Sequence, residues 1–150
     1  MLCHLSYVGN APTPDSICCI LGARIVATID DVLERTRSRL KRLEPEEAAA
    51  ELERGALLVD TRTETQRSTQ GEIPGALVID RTVLEWRLDP TSPHRIAQAV
   101  DERVRVIVIC AEGYSSSLAA ASLQDLGLLN ATDVVGGFDA WHAAGLPVKR

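Results

Sequence analysis

Residues 44–146 alternate short apolar runs with helical stretches, and that alternation predicts an α/β fold with a mostly parallel sheet. Two observations sharpen the prediction. Val106-Ile107-Val108-Ile109 carries almost no polar atoms, as a strand buried on both faces requires. It runs through a tight loop, Cys110-Ala111-Glu112-Gly113-Tyr114, into an Ala-rich helix that opens on Ser115-Ser116-Ser117.

The length of 150 residues suits one domain with some chain to spare. Aromatic residues are only 3%, so the core must be built from Leu, Val, Ile and Ala. A formal charge of -5 makes no electrostatic case for nucleic acid or an anionic membrane as partner. No apolar run reaches the ~18–20 residues that a membrane span needs.

Residues 1–27 read as an extra or disordered tail. Asn10-Ala11-Pro12-Thr13-Pro14-Asp15 is turn-rich, and the apolar run Ile17–Ala23 is short and lacks the basic flank of a secretory signal. The four cysteines (Cys3, Cys18, Cys19, Cys110) form no C-x-x-C, and His4, His94 and His142 are scattered. No metal or cofactor is expected, and the thiols suit a reducing cytoplasm; a redox pair of Cys18 and Cys19 is the less favoured reading. Residues 29–43 predict one helix, with acids at its start and bases at its end as the macrodipole prefers. Its basic stretch Arg35 to Arg42 reads as a solvated face rather than a nucleic-acid surface.

A second helix spans 44–55, with Pro45 at its first position and Gly55 as its C-terminal cap. A strand over 56–59 ends in Asp60-Thr61-Arg62. Residues 64–70 are polar loop or short helix, Gly71–Gly75 a turn, and 76–79 a second strand. Residues 80–88 predict a helix with Leu84 and Trp86, and 94–100 another helical piece. The strand 106–109 and the helix from Ser115 to about Gly127 follow. The chain closes with a strand over 131–135 and a short helix, Phe138–Ala144.

Cys110 leaves the C-terminal end of a buried strand and faces the next helix's N-terminus. Unpaired N–H groups and the positive dipole end there favour an anion, and can lower a thiol pKa from ~8.5 toward ~4–7. The chemistry this predicts is that of a thiolate nucleophile. The competing view makes Cys110 a small buried hydrophobe.

Five segments together resemble single-domain rhodaneses. They are Pro45-Glu46-Glu47-Ala48; Leu58-Val59-Asp60-Thr61-Arg62, as that family's D-x-R strand end; and Gly71-Glu72-Ile73-Pro74-Gly75-Ala76, as its G-H-I-P-G-A turn. The others are Cys110 to Ser116, as its active loop, and Gly136-Gly137-Phe138-Asp139-Ala140-Trp141, as its G-G-x-x-A-W segment. The resemblance implies a rhodanese-like three-layer sandwich over residues 44–150, a mostly parallel sheet with helices on both faces. It implies a sulfurtransferase in which Cys110 takes a sulfane sulfur from thiosulfate or a persulfide and passes it to a thiol or protein acceptor. The N–H groups of Ala111, Glu112, Gly113, Tyr114, Ser115 and Ser116 would converge on the persulfide.

Two departures stand out. Many loops of that family carry Arg where Ser115 stands, and the turn His is Glu72. With acidic Glu112 in the loop, dianionic thiosulfate should be attracted less than a persulfide. Asp60 and Arg62 read as an ion pair that fixes neighbouring loops, with Arg62 as a substrate contact the sharper alternative. Trp86, Arg87 and Tyr114 could line the pocket mouth, although core packing is the default for Trp86, as for Trp141. An interaction module without turnover is the alternative function. A phosphatase or arsenate reductase is further off, because its longer loop needs an Arg that this loop lacks.

Overall fold

The computed structural model describes residues 26–150. Its central strand, β3 (Val106–Ile109), is buried at all four residues. It pairs in parallel with β1 (Leu57–Asp60) on one side and β4 (Thr132–Asp133) on the other, and β1 pairs in parallel with β2 (Leu77–Val78). The strand order is β2-β1-β3-β4. This is the expected α/β architecture.

Alternation along the strands makes two cores from one sheet. Val59, Val106 and Val108 face α4 (Leu84–Leu88) and α5 (Ser115–Asp125), through Leu84, Leu88, Ala119, Ala120 and Leu123. Leu58, Ile107 and Ile109 face α2 (Pro45–Glu53) and α6 (Gly137–Ala143), through Ala48, Phe138 and Trp141. Helices therefore cover both faces, and the small Ala side chains let α5 lie close to β3.

Local signals explain the element ends. Pro45 opens α2, and the Glu44 N–H donates to Glu47 Oε2 at 2.9 Å. Residues 64–70 resolve to helix (α3, Glu64–Gln70), with Thr63 and Gln66 as a reciprocal cap.

Several expectations need correction. The helix expected over 29–43 ends earlier, as α1 (Ile29–Ser38). The chain then extends, and Leu43 makes a parallel bridge to Val134, adding a sheet contact beyond β4. A continued helix would put Leu40 and Leu43 on one face. In the extended chain Leu40 enters the β3–α5 core and Leu43 the opposite one.

Residues 94–100 form turns rather than a helix, with Ile96 and Ala99 as the inward side chains. Residues 80–88 split into a 3-10 turn (Arg81–Val83) and α4. Trp86 on α4 is 59% exposed, against the core packing expected of it. Trp141 is core, and its Nε1 donates to the Pro147 carbonyl at 3.1 Å. The proposed tail and the Cys18–Cys19 pair lie outside the described residues, save for positions 26 and 27.

Trp141→Ala should cost about 3–5 kcal/mol of stability, whereas Trp86→Ala should stay within about 1 kcal/mol. Chemical denaturation of the two variants checks the difference.

Candidate active site

Cys110 is the first residue past β3, and its side chain is nearly buried. Its Sγ accepts from the Gly113 N–H at 3.2 Å and the Ser116 N–H at 3.4 Å, and lies 3.2 Å from Ser116 Oγ. Burial by itself pushes the thiol up. Hydrogen bonds from the Ser115 and Ser116 hydroxyls and from the Ser116 and Gly113 N–H groups outweigh that, and hold it below its ordinary value. Two of the six loop N–H groups expected at the sulfur, those of Gly113 and Ser116, thus already reach Sγ.

The loop is shaped by two close approaches. Gly113 has φ +79°, and a Cβ there would lie 2.8 Å from the Gly136 nitrogen. Gly137 has φ +60°, and its Cβ would lie 2.5 Å from the Cys110 carbonyl oxygen. Only glycine combines these angles with this proximity. The start of α6 then locks the loop: the Phe138 N–H donates to the Cys110 carbonyl at 2.8 Å, and the Asp139 N–H to that of Ala111 at 3.0 Å.

The thiol faces an open cleft of about 320 Å³, lined by Thr61, Arg62, Thr63 and Gln66 on one side and by Cys110, Ala111, Glu112, Tyr114 and Ser115 on the other. Glu112, Tyr114 and Ser115 are exposed at its mouth, while Ser116 is fully buried beneath the sulfur. Tyr114, not a serine, occupies the N-cap of α5 and makes no capping bond from its side chain. The serines turn inward instead. The Ser116 and Ser117 hydroxyls both donate to Asp133 Oδ2, at 3.0 and 2.8 Å.

Asp60 and Arg62 form a buried ion pair at 2.7 Å. Arg62 also donates to the Gly71 carbonyl at 2.9 Å and to Gln70 Oε1 at 3.2 Å, and its guanidinium lies 3.6 Å from the centre of the Phe138 ring. The pair ties the end of β1 to the end of α3, the Gly71 turn and α6, although Arg62 still borders the cleft. Trp86 does not join the cleft; it lies in a separate groove with Glu85, Asp89 and Leu126. Arg87 donates to the His94 carbonyl at 2.9 Å and is likewise outside it.

Three residues around the loop escaped the sequence reading. Asp133 is completely buried and is paired with Arg42, whose Nε lies 2.8 Å from Asp133 Oδ1. Arg37 Nη2 and Arg42 Nη2 both donate to the Gly113 carbonyl, at 2.8 and 3.1 Å. The basic stretch is therefore not uniformly solvated: these two side chains turn in upon the loop. The available signal was Asp133 itself, a carboxylate within the final strand, since a buried carboxylate requires a partner.

The family model for the Rhodanese-like domain matches residues 44–144. The chain belongs to the rhodanese-like family. It is 34% identical over 109 residues to a thiosulfate sulfurtransferase GlpE of Pseudomonas savastanoi pv. phaseolicola, covering 71% of this chain and 91% of that one. The GlpE of Haemophilus influenzae is 31% identical, with 72% and 93% covered. A structure from Rhodopseudomonas palustris, of a protein of unknown function described as a possible tyrosine phosphatase, superposes with TM-score 0.75. It is 32% identical, with 85% of this chain and 98% of that one covered. A thiosulfate sulfurtransferase of Pseudomonas aeruginosa superposes with TM-score 0.63 at 28% identity, covering 79% of this rhodanese-like chain but 22% of that one.

Three outcomes follow from the loop geometry. Alkylation of Cys110 should titrate below the ~8.5 of a free cysteine, and Ser116→Ala should raise that midpoint by removing a donor. Because the folded thiol is lowered, its ionisation contributes stability that is complete above ~8.5 and is lost as pH falls through the folded midpoint; denaturation of Cys110→Ala against pH checks this. Gly137→Ala should destabilise by about 1–3 kcal/mol and slow Cys110 alkylation, since its Cβ would push on the Cys110 carbonyl.

Proposed function

We infer that the protein is a rhodanese-type sulfurtransferase that works through a persulfide on Cys110. The observation that carries this reading is one thiol, held below its ordinary value and facing an open cleft, with the Gly113 and Ser116 N–H groups aimed at its sulfur. The thiosulfate sulfurtransferases among its relatives support it.

The chemistry balances without a cofactor. The Cys110 thiolate attacks the sulfane sulfur of a donor. A new S–S bond forms, and the donor's own bond to that sulfur breaks, its electron pair leaving with sulfite from thiosulfate or with a thiolate from a persulfide. The outer sulfur of the Cys110 persulfide is then attacked by a thiophilic acceptor, and Cys110 leaves as thiolate. N–H donors placed before the reaction stabilise each anionic sulfur without reorganising, which is where such a site gains its rate.

The cleft favours a donor of low charge. Arg62 is committed to Asp60, Gly71 and Gln70, and the exposed Glu112 carboxylate stands at the mouth. A small persulfide or a protein persulfide suits this better than dianionic thiosulfate, with a thiol or protein as acceptor. A reducing cytoplasm suits that exchange. Among the described residues no helix is long and apolar enough to cross a membrane.

The Rhodopseudomonas palustris neighbour raises phosphate-ester hydrolysis as a second reading. That chemistry needs a guanidinium free to clamp the oxyanion. The loop from Cys110 to Ser116 contains none, and Arg37 and Arg42 donate to the Gly113 carbonyl. The low-charge sulfur donor remains the better fit. A binding module without turnover would have no use for a thiol held below its ordinary value.

Incubation with a low-molecular-weight persulfide should add one sulfur to the Cys110 peptide, and cyanide should remove it, as read by mass. Cys110→Ser should abolish loading while Cys18→Ser and Cys19→Ser leave it intact. Thiosulfate should load more slowly, and aryl phosphate should not be hydrolysed. Loading of Cys110→Ser, or no loading from either donor, would overturn the reading.

A further inference from the structure

Arg42 precedes the residues that the family model spans, yet its guanidinium partners a buried carboxylate one hydroxyl away from Cys110. Its Nε and Nη2 donate to the two oxygens of Asp133, at 2.8 and 3.0 Å. Asp133 Oδ2 accepts from Ser116 Oγ, and Ser116 Oγ is the atom 3.2 Å from the Cys110 sulfur. A serine has a single hydroxyl proton. While that proton is on the Asp133 bond, Ser116 can only accept from the thiol. To donate to an anionic sulfur, the hydroxyl has to leave Asp133 to Arg42 and Ser117. The carboxylate and the sulfur thus compete for one donor.

A second tie reaches the same sulfur. Arg42 and Arg37 both hold the Gly113 carbonyl, and the N–H of the same residue donates to Sγ. Arg42 therefore bears on two of the polar contacts the sulfur makes, those with the Ser116 hydroxyl and the Gly113 N–H. Other charged groups that line the cleft or bond the loop are Arg62, paired with Asp60, and Glu112 and Arg37; Glu64 and Arg67 lie on α3, Asp139 and His142 on α6, and Asp125 at the far end of α5. Among the described residues Asp133 is the one whose carboxylate is bonded to Ser116.

We propose that Arg42 and Asp133 are positioning residues for Cys110, acting through the Ser116 hydroxyl and the Gly113 carbonyl. The segment ahead of the family domain is then a working part of the active centre rather than an appendage. This rests on Cys110 being the reacting group, as inferred above.

The test is the pH dependence of iodoacetamide alkylation of the Cys110 peptide, followed by mass in the full chain, with the melting temperature measured alongside. Asp133→Asn removes both a negative charge and the competitor for the Ser116 proton, so the midpoint should move down. Alkylation at pH 6 should then rise about three- to tenfold. Arg42→Gln leaves the carboxylate without its counter-charge, so the midpoint should move up and the same rate fall by a similar factor. Arg42→Lys, which keeps the charge, should recover most of that loss.

Opposite signs are the signature. A merely loosened loop would move both variants up, toward an ordinary cysteine. If Asp133→Asn does not fold alone, it is added to Arg42→Gln, where it should again lower the midpoint. An unchanged or raised midpoint on removing the Asp133 carboxylate, or an unchanged one in Arg42→Gln, overturns the proposal. Alkylation requires no sulfur transfer, so a failure here is distinct from a failure to load sulfur.

Discussion

A carboxylate with no exposure to water sits under the nucleophile, and much of the site follows from satisfying it. Burying Asp133 alone would be strongly unfavourable. It is tolerated because Arg42 meets it side by side and two serine hydroxyls donate to it. Its partners come from two separate parts of the chain, Arg42 from the segment after α1 and both serines from α5. Arg42 requires the chain after α1 to run extended past β4, and the serines require α5 to start where it does. Completing this one group therefore fixes α1, α5 and β4 around the Cys110 loop.

The loop itself is held from the other side by main chain rather than charge. Gly136 and Gly137 let α6 approach until its first N–H groups reach the Cys110 and Ala111 carbonyls. A loop pinned through its carbonyls keeps its own N–H groups pointing at the sulfur. The cleft stays open, since Glu112, Tyr114 and Ser115 are exposed rather than folded over it. Rigid donors at the sulfur and an unobstructed mouth are the two properties that repeated loading and unloading of one atom requires.

The short segments that sequence alone resolves well share a physical feature: their signal is local. Val106–Ile109 is apolar throughout because both of its faces are covered, and Pro45 and Gly55 mark the ends of α2 by their own backbone preferences. The early end of α1 was not legible in this way. Leu40 and Leu43 fit a helical stripe as well as they fit an extended chain, and what separates them is the pair of cores on opposite faces of the sheet. Trp86 was misplaced for a similar reason. A tryptophan on a short helix is assigned to the core by size, but Leu84 and Leu88 already fill the inward side of α4.

By itself, then, the sequence determined the α/β class and the strand–loop–helix unit that carries Cys110, since each is written in consecutive residues. Tertiary structure decided which polar groups meet. Arg42 and Asp133 are ninety-one positions apart and meet only because Leu43 lies beside Val134. Arg62 could be read from sequence as either ion-pair partner or substrate contact. Asp60, the Gly71 carbonyl, Gln70 and the Phe138 ring converge on it in space and account for its guanidinium. Hydrogen bonding and charge pairing act over a few ångströms, so their partners are set by the fold, not by distance along the chain.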